Sequence, residues 1–442
     1  MRKRLGLVFK FLLLAVGIGI FVLIRESLPI VSGYGAKVLC SGVFVAGRSP
    51  EAVIKNDLSG FPLNLGTYTV DRGDSSVTGK VWGFAERKAV YRYGLGATLV
   101  SGMTEGELKE QRIVRMTAPA VNPDTVDWPM GDRVVSPGED SAALREAMGM
   151  AFGDGGIKET GTRAVIVVHH GRIVAERYAS GFDRHTRLTG WSMTKSITNA
   201  LIGILVRQGL LNVAEPAPVE QWLKDERSKI TIENLLRMNS GLKWWEFYGG
   251  PSDATRMLYR EKDMGEYAMK SKLGHKPGEV FYYSSGTANI LSSIIRRTVG
   301  NSVYYRFPYQ QLFYRIGMYS AVLEPDAGGT FVGSSYCYAT ARDWARLGLL
   351  YLQDGVWNGQ RVLPEGWVDF TRRGEEYGAL WWLNRNGRHP HIPRDCYGCE
   401  GYEGQYVWVI PSKDLVLVRM ARENGRKLDP DVFVPAVTEA MK

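Results

Sequence analysis

Two β-hairpin patterns bracket a long helical stretch, and this order constrains the fold more than any other feature of the sequence. Ala164-Val-Ile-Val-Val168 is an unbroken apolar run of buried-strand type, His170-Gly171 supplies a turn, and residues 173–178 return as a half-buried strand. Towards the other end, residues 405–410 and 415–420 are two further strand patterns around Pro411-Ser-Lys-Asp414, followed by a helical pattern over 431–441. Between the hairpins, residues 192–208, 232–238, 288–298 and 341–353 carry helical periodicity. Strands at both ends with helices between suit an α/β fold: one antiparallel sheet built from the two ends of the domain, with flanking helices and a mostly helical insertion. An amphipathic helix over 140–152, closed by Gly153, opens this region after the turn signals Asn122-Pro123-Asp124 and Ser136-Pro-Gly138.

The first residues carry a different instruction. Met1-Arg-Lys-Arg4 precedes an apolar stretch over 5–24 that is interrupted only by Lys10. At about 1.5 Å per residue, such a stretch spans the hydrocarbon core of a bilayer. The basic flank on its N-terminal side places that end in the cytoplasm and the rest of the chain outside. An uncleaved anchor is preferred over a signal peptide, since the run is long for a signal core and no A-x-A cleavage site follows. The expected division is therefore a membrane anchor over 1–30, a β-rich region of unassigned role over 31–130, and a chemistry-bearing domain over 131–442. The implied location is the bacterial inner membrane, single-pass, with the large domain periplasmic; secretion after signal cleavage is the alternative.

The chain has 442 residues, 45% of them hydrophobic and 23% charged, which is enough apolar content for a sizeable core. Its net charge of +9 does not indicate nucleic-acid binding, because the basic residues beyond the N-terminus are scattered among acids with no basic, aromatic-interleaved block. Cys396 and Cys399 form a C-x-x-C without a second pair at zinc spacing, so they read as packed thiols or a strained local disulfide. Of the six histidines, His169 and His170 fall at a hairpin tip, and His389-x-His391 lacks an evident third metal ligand. No cofactor or metal is expected. G-x-S-x-G, Walker A and H-E-x-x-H patterns are absent.

Two Ser-x-x-Lys tetrads occur, Ser192-Met-Thr-Lys195 and Ser240-Gly-Leu-Lys243. A lone tetrad arises by chance in a chain this long, so context has to separate them. Ser192 opens a helix with an apolar interior, where free backbone N–H groups and the helix dipole favour an alkoxide and an oxyanion. Lys195 lies one turn along the same face and, if desolvated, can take the serine proton. Ser240 follows a helix end and precedes a glycine, which reads as a loop. The bland alternative for Ser192 is a helix cap. A second element, Pro277-Gly-Glu-Val-Phe-Tyr-Tyr-Ser-Ser-Gly286, presents Tyr283 just before a helix, where a phenol beside an amine can act as a tyrosinate-like base or as a proton relay.

Taken together these segments resemble the class C β-lactamase-like serine hydrolases, which share the penicillin-binding-protein fold. The resemblance runs over about 135–440 and rests on Trp191-Ser-Met-Thr-Lys-Ser196, Ile232-Glu-Asn-Leu-Leu-Arg-Met-Asn-Ser-Gly241, Pro277-Gly278 with Tyr283-Ser284, Ala339-Thr-Ala-Arg-Asp-Trp-Ala-Arg-Leu-Gly348, and Gly401 with Gly404-Gln405. The chain looks nearest to the branch of aminohexanoate-dimer hydrolases and related esterases. The resemblance implies attack by Ser192, proton transfer by Lys195 and Tyr283, and an oxyanion hole from the N–H of Ser192 and one near Gly401. It also implies that the aromatic loop Trp244-Trp-Glu-Phe-Tyr248, with Trp245 and Tyr248, borders the substrate cleft. Two positions depart from the family pattern. Ser285 replaces the asparagine of Tyr-x-Asn, and Tyr402 stands where the third motif has a lysine or histidine, which argues against efficient β-lactam turnover. The implied activity is cleavage of a small amide or ester; alternatives are a cell-wall D-amino-acid peptidase or amidase, and a sensor that acylates without turning over.

Overall fold

The sheet expected from the two ends of the domain is present. The computed structural model describes residues 2–111, 113, 119–134, 141–154, 160–423 and 425–441. Six antiparallel strands lie in the order Trp382–Leu383, Tyr397–Gly401, Gln405–Ile410, Leu415–Ala421, Thr162–His169, Arg172–Tyr178. The closure is made by Leu415–Ala421 against Thr162–His169, with Val418 opposite Ile166 and Val416 opposite Val168. Both strands are buried on both faces, which is why their middles, 164–168 and 415–418, read as continuous apolar runs rather than as alternating ones. Val165 and Val167 pack with Leu144, Met148, Phe433 and Val437 of the helices Ala142–Phe152 and Pro430–Ala440. Ile166 and Val168 face the main core, which holds Trp344 and Leu347 of the helix Ala341–Leu352. That helix lies close on the sheet because Gly348 has no side chain: a Cβ there would stand 2.6 Å from Val416 and 2.7 Å from Val407.

Helix ends follow ordinary capping chemistry. Ser141 caps Ala142–Phe152, and Gly153 closes it in the left-handed region at φ 85°. Asp140 and the turn signal Ser136-Pro-Gly138 lie outside the described residues. Thr340 caps Ala341–Leu352, and Arg342 and Arg346 of the same motif bind Glu176 and Asp132. That segment is a structural tie between helix, sheet and the residues preceding the sheet.

The N-terminal helix extends further than expected. It runs without a break over Arg2–Phe44, so helix continues past residue 30 into what the sequence suggested was an irregular, β-rich region. Between residues 9 and 24 it exposes apolar side chains such as Phe9, Leu13, Phe21 and Leu23, beside Lys10. By length and composition Val16–Phe44 qualifies as a membrane span, but Ile30, Ala36, Leu39, Cys40 and Val43 are buried inside the protein. Among the described residues of this helix, the exposed large apolar side chains all precede Arg25. The buried part is held by an ionic contact: Lys37 pairs with Glu324, far along the chain, and Ser41 donates to the same carboxylate at 2.9 Å. Removing one partner of such a buried pair costs about 3–5 kcal/mol. A four-stranded antiparallel meander (Gly66–Asp71, Ser76–Val81, Phe84–Arg92, Gly96–Leu99) packs against this helix. All four cysteines are free, buried thiols.

Candidate active site

Ser192 sits where the strand Leu188–Thr189 gives way to helix. The strand pairs with Cys337–Ala339, Gly190 donates to the Cys337 carbonyl at 2.8 Å, and a 3-10 turn, Trp191–Met193, leads into the helix Thr194–Arg207. Trp191, next to Ser192, holds a left-handed φ of 45°, a strained value for a bulky residue. Its ring is braced edge-on by Tyr34 of the N-terminal helix and by Tyr402, each at 5.9 Å. Neither the turn nor the helix is capped by a side chain. The hydroxyl of Ser192, then, is not a helix cap. It lies 3.0 Å from Lys195 Nζ.

Lys195 is 1% exposed, and every residue of its helix from Thr194 to Leu205 is buried. Its amine has two further partners, Ser285 Oγ at 3.1 Å and the Ser334 carbonyl at 3.0 Å, and it stands 4.9 Å from the centre of the Tyr283 ring. Burial pulls its pKa down to about 8, against the opposing charge of Glu246. Tyr283 is hydrogen-bonded to Ser192, and its ring stacks on Trp382 at 5.6 Å and meets Tyr377 edge-on at 5.9 Å. Burial pushes its phenol well above the usual range, so the phenol is neutral wherever the lysine can be deprotonated. A hydroxyl between a near-neutral amine and a protonated phenol can give up its proton to one and exchange protons with the other.

The remaining expected residues distribute unevenly around this centre. Ser285 reaches Lys195 directly. Tyr248 lies 3.1 Å from Ser285 Oγ and stacks on Tyr402, whose ring also meets Trp191. Gly401 brings its strand against the serine turn: a Cβ there would meet the Gly190 carbonyl at 2.2 Å, so only glycine permits this approach. Trp245 joins none of these contacts. It is 55% exposed and stacked on Phe247, while its neighbour Trp244 turns inward and is buried.

The β-lactamase family profile matches residues 142–433, two thirds of the chain. The chain belongs to the β-lactamase family. A 6-aminohexanoate-dimer hydrolase of Paenarthrobacter ureafaciens is 25% identical over 301 residues, covering 60% of this chain and 74% of the relative. Among solved structures, a putative 6-aminohexanoate-dimer hydrolase from Bacillus anthracis has a TM-score of 0.55 at 22% identity, covering 64% of this chain and 79% of its own. A family VIII carboxylesterase has a TM-score of 0.53 at 15% identity, over 68% and 97% of the two chains. The family is one of hydrolases, and the fold is that of the penicillin-binding proteins and esterases.

Within this β-lactamase-family chain the second tetrad has another fate. Ser240 Oγ accepts from the Leu242 N–H at 3.4 Å in a local turn, Gly241 takes a φ of 76°, and Lys243 is exposed. His389 and His391 turn to Asp431, and His170 to Asp414; among the described residues no group of three metal-ligating side chains forms. Two residues at the centre were not singled out from the sequence, Ser334 and Glu246. Ser334 contributes only its carbonyl, which no side-chain pattern can announce. Glu246 was visible inside the aromatic loop as an acid flanked by rings, but nothing local distinguishes it from a solvated charge.

Proposed function

We propose that this chain hydrolyses a small amide or ester through an acyl-enzyme on Ser192. Lys195 removes the hydroxyl proton as Ser192 Oγ bonds to the substrate carbonyl carbon. The resulting oxyanion is held by the N–H of Ser192 and a backbone N–H beside Gly401. Tyr283 gives its hydroxyl proton to the departing amine or alkoxide as the bond to carbon breaks, and takes in its place the proton that Lys195 received from Ser192, so that both return to neutral. Water then attacks the ester on Ser192, its proton going to the same Lys195–Tyr283 pair, and the acid is released with Ser192 restored. The observation that carries this reading is the buried amine of Lys195 at 3.0 Å from Ser192 Oγ, with no carboxylate in direct contact to hold it charged. The named activities of the relatives, on an aminohexanoate dimer and on carboxylic esters, support the substrate class.

The exposed apolar face before Arg25 serves, in this reading, as an uncleaved membrane anchor, with the hydrolase on the periplasmic side of the inner membrane. The helix's unbroken passage from that face to Lys37 and Glu324 supports it, since the anchor then has no linker. The test is turnover of p-nitrophenyl esters and of a short-chain aminohexanoate dimer by the full chain in detergent. Multiple turnovers that vanish in Ser192→Ala are expected. A single stoichiometric burst without turnover would replace the hydrolase with a slowly acylating sensor.

A further inference from the structure

Glu246 makes more contacts in the site than any role above requires. Its Oε1 accepts from Ser285 Oγ at 2.5 Å and from the Tyr248 hydroxyl at 2.7 Å; its Oε2 accepts from the Ser285 N–H at 2.9 Å and from Trp244 Nε1 at 2.5 Å. Ser285 is the first residue of the helix Ser285–Val299, so its N–H is one of those a helix leaves without a partner. A carboxylate there also lies at the favoured end of the helix dipole.

The consequence follows from counting protons. A serine hydroxyl has one hydrogen to give. Ser285 gives it to Glu246, so towards Lys195 its oxygen can only accept. The Ser334 carbonyl can only accept as well. A neutral lysine amine has two N–H bonds and one lone pair. With both N–H bonds engaged by Ser285 and Ser334, the lone pair is left for the third neighbour, the hydroxyl of Ser192. A serine in place of the family's asparagine would otherwise be free to rotate and donate to the amine, occupying the lone pair needed for proton abstraction. An asparagine carbonyl needs no such restraint.

We propose that Glu246 is a positioning residue that fixes the Ser285 hydroxyl as an acceptor and thereby aims the lone pair of Lys195 at Ser192. The pair Glu246–Ser285 does the work of the missing amide. This rests on the reading of Ser192 and Lys195 as nucleophile and base. The groups facing Lys195 are Ser192 from its own turn, Tyr283 and Ser285 from the loop and helix ahead of it, and the Ser334 carbonyl; Glu246 stands behind Ser285, and Glu400 acts on Tyr283. Glu246 is the charge acting on Lys195, and its charge opposes the effect of burial. Its removal therefore moves the rise of activity with pH to lower pH.

The experiment is a cycle of Glu246→Gln, Ser285→Ala and the double variant, with kcat, KM and the pH dependence of kcat/KM measured on a p-nitrophenyl ester. Lys195→Ala and fluorophosphonate labelling of the wild type are run beside it. Each single variant is expected to lose ~30–100-fold in kcat with KM changed by less than about threefold, since one tenfold step is 1.36 kcal/mol of transition-state stabilisation. The double variant should be no worse than the poorer single one, because both act through one hydroxyl. In Glu246→Gln the acidic limb should shift to lower pH. Multiplying losses in the double variant, or an unmoved limb in Glu246→Gln, would overturn the proposal. Should Glu246→Gln fail to fold, Ser285→Ala decides alone: kcat within about threefold of wild type overturns it. Wild-type activity that survives Lys195→Ala would instead overturn the underlying reading of the site.

Discussion

Ser192-Met-Thr-Lys195 and Ser240-Gly-Leu-Lys243 share a four-residue pattern, yet the fold treats them as opposites. Lys195 is on a helix whose first twelve residues are buried, and its amine is ringed by a hydroxyl, a second hydroxyl and a carbonyl. Lys243 is exposed, on a segment where Gly241 at φ 76° turns the chain against residues 272–275. In the first tetrad the i, i+3 spacing places two side chains on one helical face. In the second no helix exists to convert spacing into proximity. A motif is thus a statement about backbone as much as about residue types, and what brings serine and lysine together in the first tetrad is the buried helix that follows it.

The comparison is broken most severely by truncating the two serines. Ser192→Ala should lower ester turnover by ~10⁴-fold or more, whereas Ser240→Ala should leave it within about twofold, both read from steady-state rates. Lys195→Ala should cost ~10³-fold and Tyr283→Phe ~10²-fold, against no more than about twofold for Lys243→Ala. Across pH, kcat/KM of the wild type should climb to a plateau as Lys195 loses its proton near pH 8, the value to which burial brings it. Because Tyr283 is pushed up rather than down, no phenol ionisation should cut that plateau off on its alkaline side in the pH range just above the Lys195 step.

Stability gives the smallest and most discriminating contrast. The folded pKa of Lys195 lies below its unfolded value, so from about 8 to 10.5 the unfolded chain binds more protons and stability rises with pH. Below that window the folded state bears the whole cost of the buried charge, ~3 kcal/mol. Lys195→Met should therefore raise thermal stability at pH 7 while abolishing activity, and Lys243→Met should change stability by less than about 0.5 kcal/mol.

Much of the fold was legible because its strands and helices announce themselves by period. The runs 164–168 and 415–418 are apolar throughout, and they became two neighbouring interior strands of the six-stranded sheet. The pairing of Ser192 with Lys195 was legible for the same reason, a helix with a buried face. Tyr283 needed the family resemblance, since a tyrosine before a helix is otherwise an ordinary core residue. The second half of the N-terminal helix was not legible. Its Ser32, Gly33, Gly35, Lys37 and Ser41 look like loop residues, and their reason lies elsewhere in the chain: Tyr68 packs so closely on Gly35 that a Cβ would meet it at 2.0 Å, and Glu324 waits for Lys37. Glu246 was hidden in the same way. Its importance comes from Ser285, and only the folded loop brings the two within 2.5 Å.

The central claim is that one serine of this chain, Ser192, is chemically activated by its lysine. The most direct measurement is to treat the full chain with a fluorophosphonate and locate the adduct by mass spectrometry of its peptides. The account predicts a single adduct on Ser192, absent in Lys195→Ala and unaffected in Lys243→Ala. An adduct on Ser240, or labelling of Ser192 that persists without Lys195, would contradict it.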